Sequence, residues 1–196
     1  MGKYVCLSYR WGPLGSALPL LTKKNKSEFE QEIPWLSMPK TFKDVFILVR
    51  RLGIEFLWVD SLCILQDDLR DWYFEAAVIM SDIYQKSWLT IAATGSKDSN
   101  NGLYSVLGSF HVPKELSKSI FIRQSLDHPF QSHSYSLKEF LLLSRGWVYQ
   151  ERLLPPIVVH FTQQELVFEC REGFWCGCGI YKSHGEKAAT LKFFYS

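Results

Sequence analysis

Four short apolar runs, at residues 4–9, 54–65, 88–93 and 157–161, alternate along the chain with stretches whose apolar residues recur every three or four positions. This alternation constrains the fold more than any other feature. Strands separated by helices pair in parallel through right-handed crossovers, which gives an α/β sheet with helices on both faces. The first run, Tyr4-Val-Cys-Leu-Ser-Tyr9, ends in Arg10-Trp11-Gly12-Pro13, a turn signal. The second is apolar on both faces, as a buried central parallel strand requires, and leads into a loop. The third stops before Gly95, and the fourth, Ile157-Val-Val-His-Phe161, is β-branched and follows the helix-ending Pro155-Pro156.

The helices between them carry their own punctuation. After Pro39, Thr41 reads as an N-cap with Asp44 in the first turn; Phe42, Val45, Val49 and Leu52 form an apolar stripe that Gly53 closes. A second helix is expected over about 69–86, with the stripe Trp72, Ala76, Ile79, Met80 and Ile83. Residues 14–38 and 94–140 read as long irregular insertions, apart from a periodic stretch at Ser119 to Arg123. Residues 165–170 alternate in part, and the chain after Arg171 shows no obvious element.

Size and composition narrow the class. A chain of 196 residues fits one domain, and 47% apolar with 21% charged residues describes a globular protein. A formal charge of +2, with scattered lysines and arginines, argues against nucleic acid as the main partner. No segment approaches the ~18 apolar residues of a membrane span. The first residues lack the regions of a signal peptide, and five cysteines without a regular framework fit reduced thiols. A cytoplasmic location is therefore expected, with Cys6 and Cys63 as small core residues.

In an open parallel sheet the ligand crevice lies beyond the carboxyl ends of the strands. That rule selects Ser8, Tyr9 and Arg10 after the first strand, Asp60 and Ser61 after the second, and Thr94 after the third. A further acid stands on the last helix. Trp147 and Glu151 are four residues apart, so they share one helical face, and apolar surroundings can tune such a carboxylate. The bland alternative pairs Glu151 with Arg145, Arg152 or a backbone amide and leaves Trp147 in the core.

Four blocks, Tyr4-Val-Cys-Leu-Ser-Tyr-Arg-Trp-Gly12, Leu57-Trp-Val-Asp-Ser-Leu-Cys-Ile-Leu-Gln-Asp-Asp68, Asp71-Trp-Tyr-Phe-Glu-Ala-Ala77 and Arg145-Gly-Trp-Val-Tyr-Gln-Glu-Arg-Leu-Leu154, stand in one order and spacing. Together they resemble the fungal heterokaryon incompatibility (HET) domain, as do Leu36 to Asp44 and Leu89 to Ala93. The resemblance covers about residues 4–170. It departs at Arg10, where a small residue or Cys is usual, and at Val148-Tyr149, where Thr-Leu is usual. Family members commonly carry sequence before the first block and a long region after the domain. The expectation is a HET domain at residues 1–170, and an irregular tail at 171–196 as the end of a shortened chain.

The resemblance implies a role in fungal non-self recognition and programmed cell death. The HET domain is also distantly similar to the Toll/interleukin-1 receptor (TIR) domain, a flavodoxin-like wind with a mostly parallel sheet. Some TIR domains hydrolyse NAD with a glutamate four residues after a tryptophan. That pattern falls on Trp147 and Glu151, and implies NAD as a substrate rather than a bound cofactor. Nicotinamide is already a good leaving group, so one carboxylate can stabilise the ribosyl cation and grip the ribose. Glu151 is then the catalytic residue, in a pocket of Trp147, Ser8, Tyr9, Arg10, Trp11 and Asp60. The analogy also implies self-association and a recognition partner protein. Two alternatives stand beside it: a non-enzymatic death-signalling or self-association module, or an inactive fragment.

Other groups read as structural. Arg10 with Gly12 and Gly15 matches no phosphate-loop pattern, and an exposed turn arginine is the simpler reading. Glu75 suits a cap or salt bridge. Cys170, Cys176, Cys178 and His184 lack the paired spacing of a zinc site, so no metal is expected. Cys63 with His160 fails as a thiol hydrolase, because a buried thiol is inert. His111, His128 and His133 have no identifiable partner.

Overall fold

The structure is a computed structural model that describes residues 2–13, 18–71, 79–105, 112–123, 140–177 and 182–184. Gly15, Trp72, Glu75, Ala76, His111, His128, His133 and Cys178 lie outside the described residues. Strands are β1 Tyr4–Ser8, β2 Phe56–Trp58, β3 Leu89–Ala92, β4 Lys114–Ser117, β5 Ile120–Ile122, β6 Ile157–Phe161, β7 Leu166–Cys170, β8 Gly173–Cys176 and β9 Lys182–His184. Helices are α1 Lys26–Phe29, α2 Lys40–Arg51, α3 Asp60–Cys63, α4 Leu69–Asp71, α5 Met80–Lys86 and α6 Val148–Leu153.

Seven strands form one sheet in the order β2-β1-β3-β6-β7-β8-β9, and β4 and β5 make a separate hairpin. β2, β1, β3 and β6 are parallel, in the 2-1-3-4 order of a flavodoxin-like wind. The expected α/β architecture is present, and three antiparallel strands extend it through β7, β8 and β9.

Strand alternation sorts the core onto two faces. Val5, Leu7, Tyr9, Ile91, Ala93, Val159 and Phe161 pack with Phe42, Val45 and Val49 of α2. On the opposite face Cys6 meets Met80 and Tyr84 of α5, while Ala92 and Val158 meet Leu142, Leu143 and Val148. α2 ends as its glycine requires. Gly53 has φ +71°, its N–H donates to Arg50, and the Ile54 N–H donates to Val49, which closes a Schellman motif.

Several expectations are corrected. The second strand is not central: β2 spans three residues at the sheet edge, and Phe56 is 59% exposed. A 2-1-3 order puts the second strand outside the first, where it is covered less. Beyond Trp58 the apolar run turns into α3, which leaves Cys63 exposed while Cys6 is buried. Thr41 is not an N-cap. Pro39 holds that place, and the buried Thr41 hydroxyl instead accepts the Gly102 N–H at 3.1 Å. Leu52 sits at the C-cap, 44% exposed, rather than in the buried stripe. The chain after Arg171 is not irregular throughout, since β8 and β9 continue the sheet. α4 and α5 fall within the 69–86 range expected as helix, and residues 72–78 between them lie outside the described residues. No helix among the described residues is long and apolar enough to cross a membrane.

Candidate active site at the carboxyl edge of the sheet

In a 2-1-3-4 sheet the chain leaves β1 and β3 in opposite directions, which opens a crevice at their carboxyl ends. A cleft of about 310 Å³ lies at this edge, lined by Trp11, Asp60, Ile64, Gln66, Met80, Arg145, Trp147 and Glu151. Trp11 follows β1, Asp60, Ile64, Gln66 and Met80 follow β2, and Arg145, Trp147 and Glu151 lie in the connection from β3 to β6. Residues distant in sequence thus meet because parallel strands bring all their carboxyl ends to one side.

Glu151 lies on α6, one turn after Trp147, whose carbonyl accepts the Glu151 N–H at 3.3 Å. Its side chain reaches the end of β1, where the Ser8 hydroxyl donates to Oε2 at 2.5 Å. Glu151 is only 5% exposed. Burial pushes its carboxyl up to about 7, reinforced by the Asp60 charge and opposed by the Ser8 hydrogen bond and Arg145. Such a group exchanges a proton near neutral pH, as a general acid or base must.

Asp60 serves two functions at once. Its Oδ1 accepts the Ser61 N–H at 2.6 Å and its Oδ2 accepts the Trp11 Nε1–H at 2.9 Å. The residue keeps some exposure through the cleft, but its carboxylate is packed in protein, and burial raises its pKa against the pull of Trp11, Tyr9, Ser61 and Arg145. Tyr9 is buried beside it, and burial and the Asp60 charge hold its phenol well above the usual range. Neither the Tyr9 hydroxyl nor the Ser61 hydroxyl closes a hydrogen bond of normal geometry among the described residues. Arg145 is the cation of the cleft, and its Nη1 donates to the Tyr9 carbonyl at 2.7 Å.

The family model described as Heterokaryon incompatibility protein (HET) matches residues 4–151. The chain belongs to the HET family. No curated protein and no solved structure gives a significant match to it. The HET match begins with β1 and ends at Glu151, so it contains every residue that lines the cleft. It supports a heterokaryon incompatibility role for the chain.

Of the residues expected at the site, the cleft brings together Glu151, Trp147, Trp11 and Asp60, with Ser8 behind Glu151 and Tyr9 behind Asp60. Arg10 does not line it; its guanidinium donates to the Lys97 carbonyl at 3.2 Å on the surface. Thr94 is buried and hydrogen-bonded to His160 Nδ1 at 2.9 Å. Trp147 is 41% exposed as part of the cleft wall, not a core residue. Arg152 points away from Glu151 and pairs with Glu169. The sequence had offered Arg145 only as a pairing partner for Glu151. Its signal was its place at the head of the Arg145-Gly-Trp147 block. Gln66 and Met80 gave no signal.

Proposed function

We propose that this cleft hydrolyses the nicotinamide–ribose bond of NAD, as the executing step of heterokaryon incompatibility. The observation that carries the reading is a buried carboxylate, Glu151, opening into a cleft at the carboxyl ends of the strands beside two indoles and a second acid. The C1′–N bond breaks with its electron pair leaving on nicotinamide, which neutralises the ring cation. The ionised Glu151 stabilises the ribosyl oxocarbenium ion that remains. Water then adds at C1′ and gives its proton to Glu151, whose pKa near 7 lets it pass that proton to solvent. Asp60 anchors the Trp11 indole in the cleft wall, Trp11 and Trp147 wall off water, and Arg145 balances the two acids. Loss of NAD would then kill or arrest the cell, and self-association would control the activity.

A second reading is a non-enzymatic contact module that binds itself or a recognition partner. The β4–β5 hairpin favours it, because Leu116, Ile120, Phe121 and Ile122 are 67%, 56%, 62% and 55% exposed. Nicotinamide release by purified protein, with and without Glu151→Gln, separates the two. Release that the substitution abolishes supports the hydrolase. Toxicity on expression with unchanged cellular NAD supports the contact module.

A further inference from the structure

Beside Glu151 on α6 lies a buried polar chain that the proposed chemistry does not use. Arg152 grips Glu169 of β7 with two prongs, Nε to Oε2 at 2.7 Å and Nη2 to Oε1 at 3.0 Å. His160 of β6 reaches the same Oε2 through Nε2 at 3.1 Å, and its Nδ1 meets Thr94 Oγ1 at 2.9 Å. Because the carboxylate only accepts, Nε2 carries a proton toward Glu169. Arg152, Glu169, His160 and Thr94 are 6%, 3%, 1% and 1% exposed. Thr94, His160 and Glu169 have the residue types of a nucleophile, base and acid. None of them lines the cleft, so a substrate there does not meet Thr94.

α6 explains why charge is buried here. It has six residues and no side-chain cap, and a helix that short does not hold itself in water. Its rotation therefore depends on tertiary anchors. Consecutive helical residues point ~100° apart, so Glu151 can meet β1 only while Arg152 is turned toward β7. A buried ion pair adds little net stability compared with apolar residues of the same volume, but it holds one geometry.

We propose that Arg152 and Glu169 are positioning residues for Glu151: their two-pronged pair fixes the rotation of α6 and so keeps the Glu151 carboxylate on Ser8 in the cleft. The inference rests on the reading of Glu151 as the reacting carboxylate. Around that carboxylate stand Ser8 and Cys6 of β1, Asp60 of α3, Tyr84 of α5 and Arg145.

The test is the double substitution Arg152→Met/Glu169→Gln, which removes both charges together and leaves no net charge change near Glu151. Carbon NMR of glutamate-labelled protein, assigned with Glu151→Gln, follows the Glu151 titration directly. The expected result is a midpoint about one pH unit lower than in the unsubstituted protein, as water reaches the released carboxylate. The turnover number for nicotinamide release should fall ~10²-fold with little change in KM, the cost of a displaced reacting group. An unchanged Glu151 midpoint overturns the proposal, whatever happens to stability. If the double variant loses cooperative unfolding, Arg152→Lys keeps the charge without the fork and is read by the same titration. If the unsubstituted protein releases no nicotinamide, the hydrolase reading fails, while the titration still decides the positioning.

Discussion

Replacing Glu151 by glutamine should flatten the pH dependence of stability above the carboxylate range. Burial lifts the Glu151 carboxyl from its ordinary 4.5 to about 7. Between those values the folded protein holds a proton that the unfolded chain has released, so stability is fullest below the lower value and falls as pH rises. The shift, 7 less 4.5, is about 2.5 units. It amounts to ~3 kcal/mol once both states are ionised, and ~2.5 kcal/mol of it develops between pH ~5 and ~8. Glu169 does not blur that window. Burial alone would raise its carboxyl, but Arg152 and His160 hold it at about 2. Its contribution is present above the ordinary glutamate value and is lost only as pH falls toward that figure. Glutamine keeps the volume and can accept the Ser8 hydroxyl; its extra N–H groups add a pH-independent offset of ~1 kcal/mol. Urea unfolding across this window reads the difference as a midpoint gap that changes by ~1 M at constant m. Parallel pH profiles for the two proteins would refute the assignment of a raised, buried acid to position 151.

Arg152→Ala leaves Glu169 buried without its guanidinium and should cost ~3–5 kcal/mol at neutral pH, read by thermal unfolding. The deficit should shrink in acid as Glu169 takes up a proton. Gly95→Ala should cost ~1–3 kcal/mol, because a Cβ there would come within 2.6 Å of the Gln163 backbone nitrogen. Arg145→Met removes a cation that lowers the Glu151 pKa. The pH midpoint of nicotinamide release should therefore move upward, while the equivalent Arg10→Met, away from the cleft, should leave it in place.

Periodicity was enough to read the parallel half of the sheet. Tyr4 to Ser8, Leu89 to Ala92 and Ile157 to Phe161 are apolar because both their faces are covered, and burial of that kind leaves a local trace. β2 was misjudged because apolarity tells that a residue is sticky, not where in the sheet order it falls. β8 escaped notice because Gly173-Phe-Trp-Cys176 is short and lies between glycines and charges, its strand character coming from pairing with β7. The crevice rule selected Ser8 and Asp60, and these stand at strand ends beside the cleft. It could not distinguish Arg10 from them, since side-chain direction after a strand depends on the turn that follows. The Arg152–Glu169 pair joins a helix to a strand beyond it, and neither residue carries a pattern of its own.

The most direct test is nicotinamide release from NAD by purified protein at high concentration, followed from pH ~5 to ~9. A cationic ring over an ionised Glu151 should give activity that rises with pH through a midpoint at or below about 7, and Glu151→Gln should abolish it. Release that survives Glu151→Gln with the same pH profile, or no release from the unsubstituted protein, would contradict Glu151 as the group that cleaves NAD.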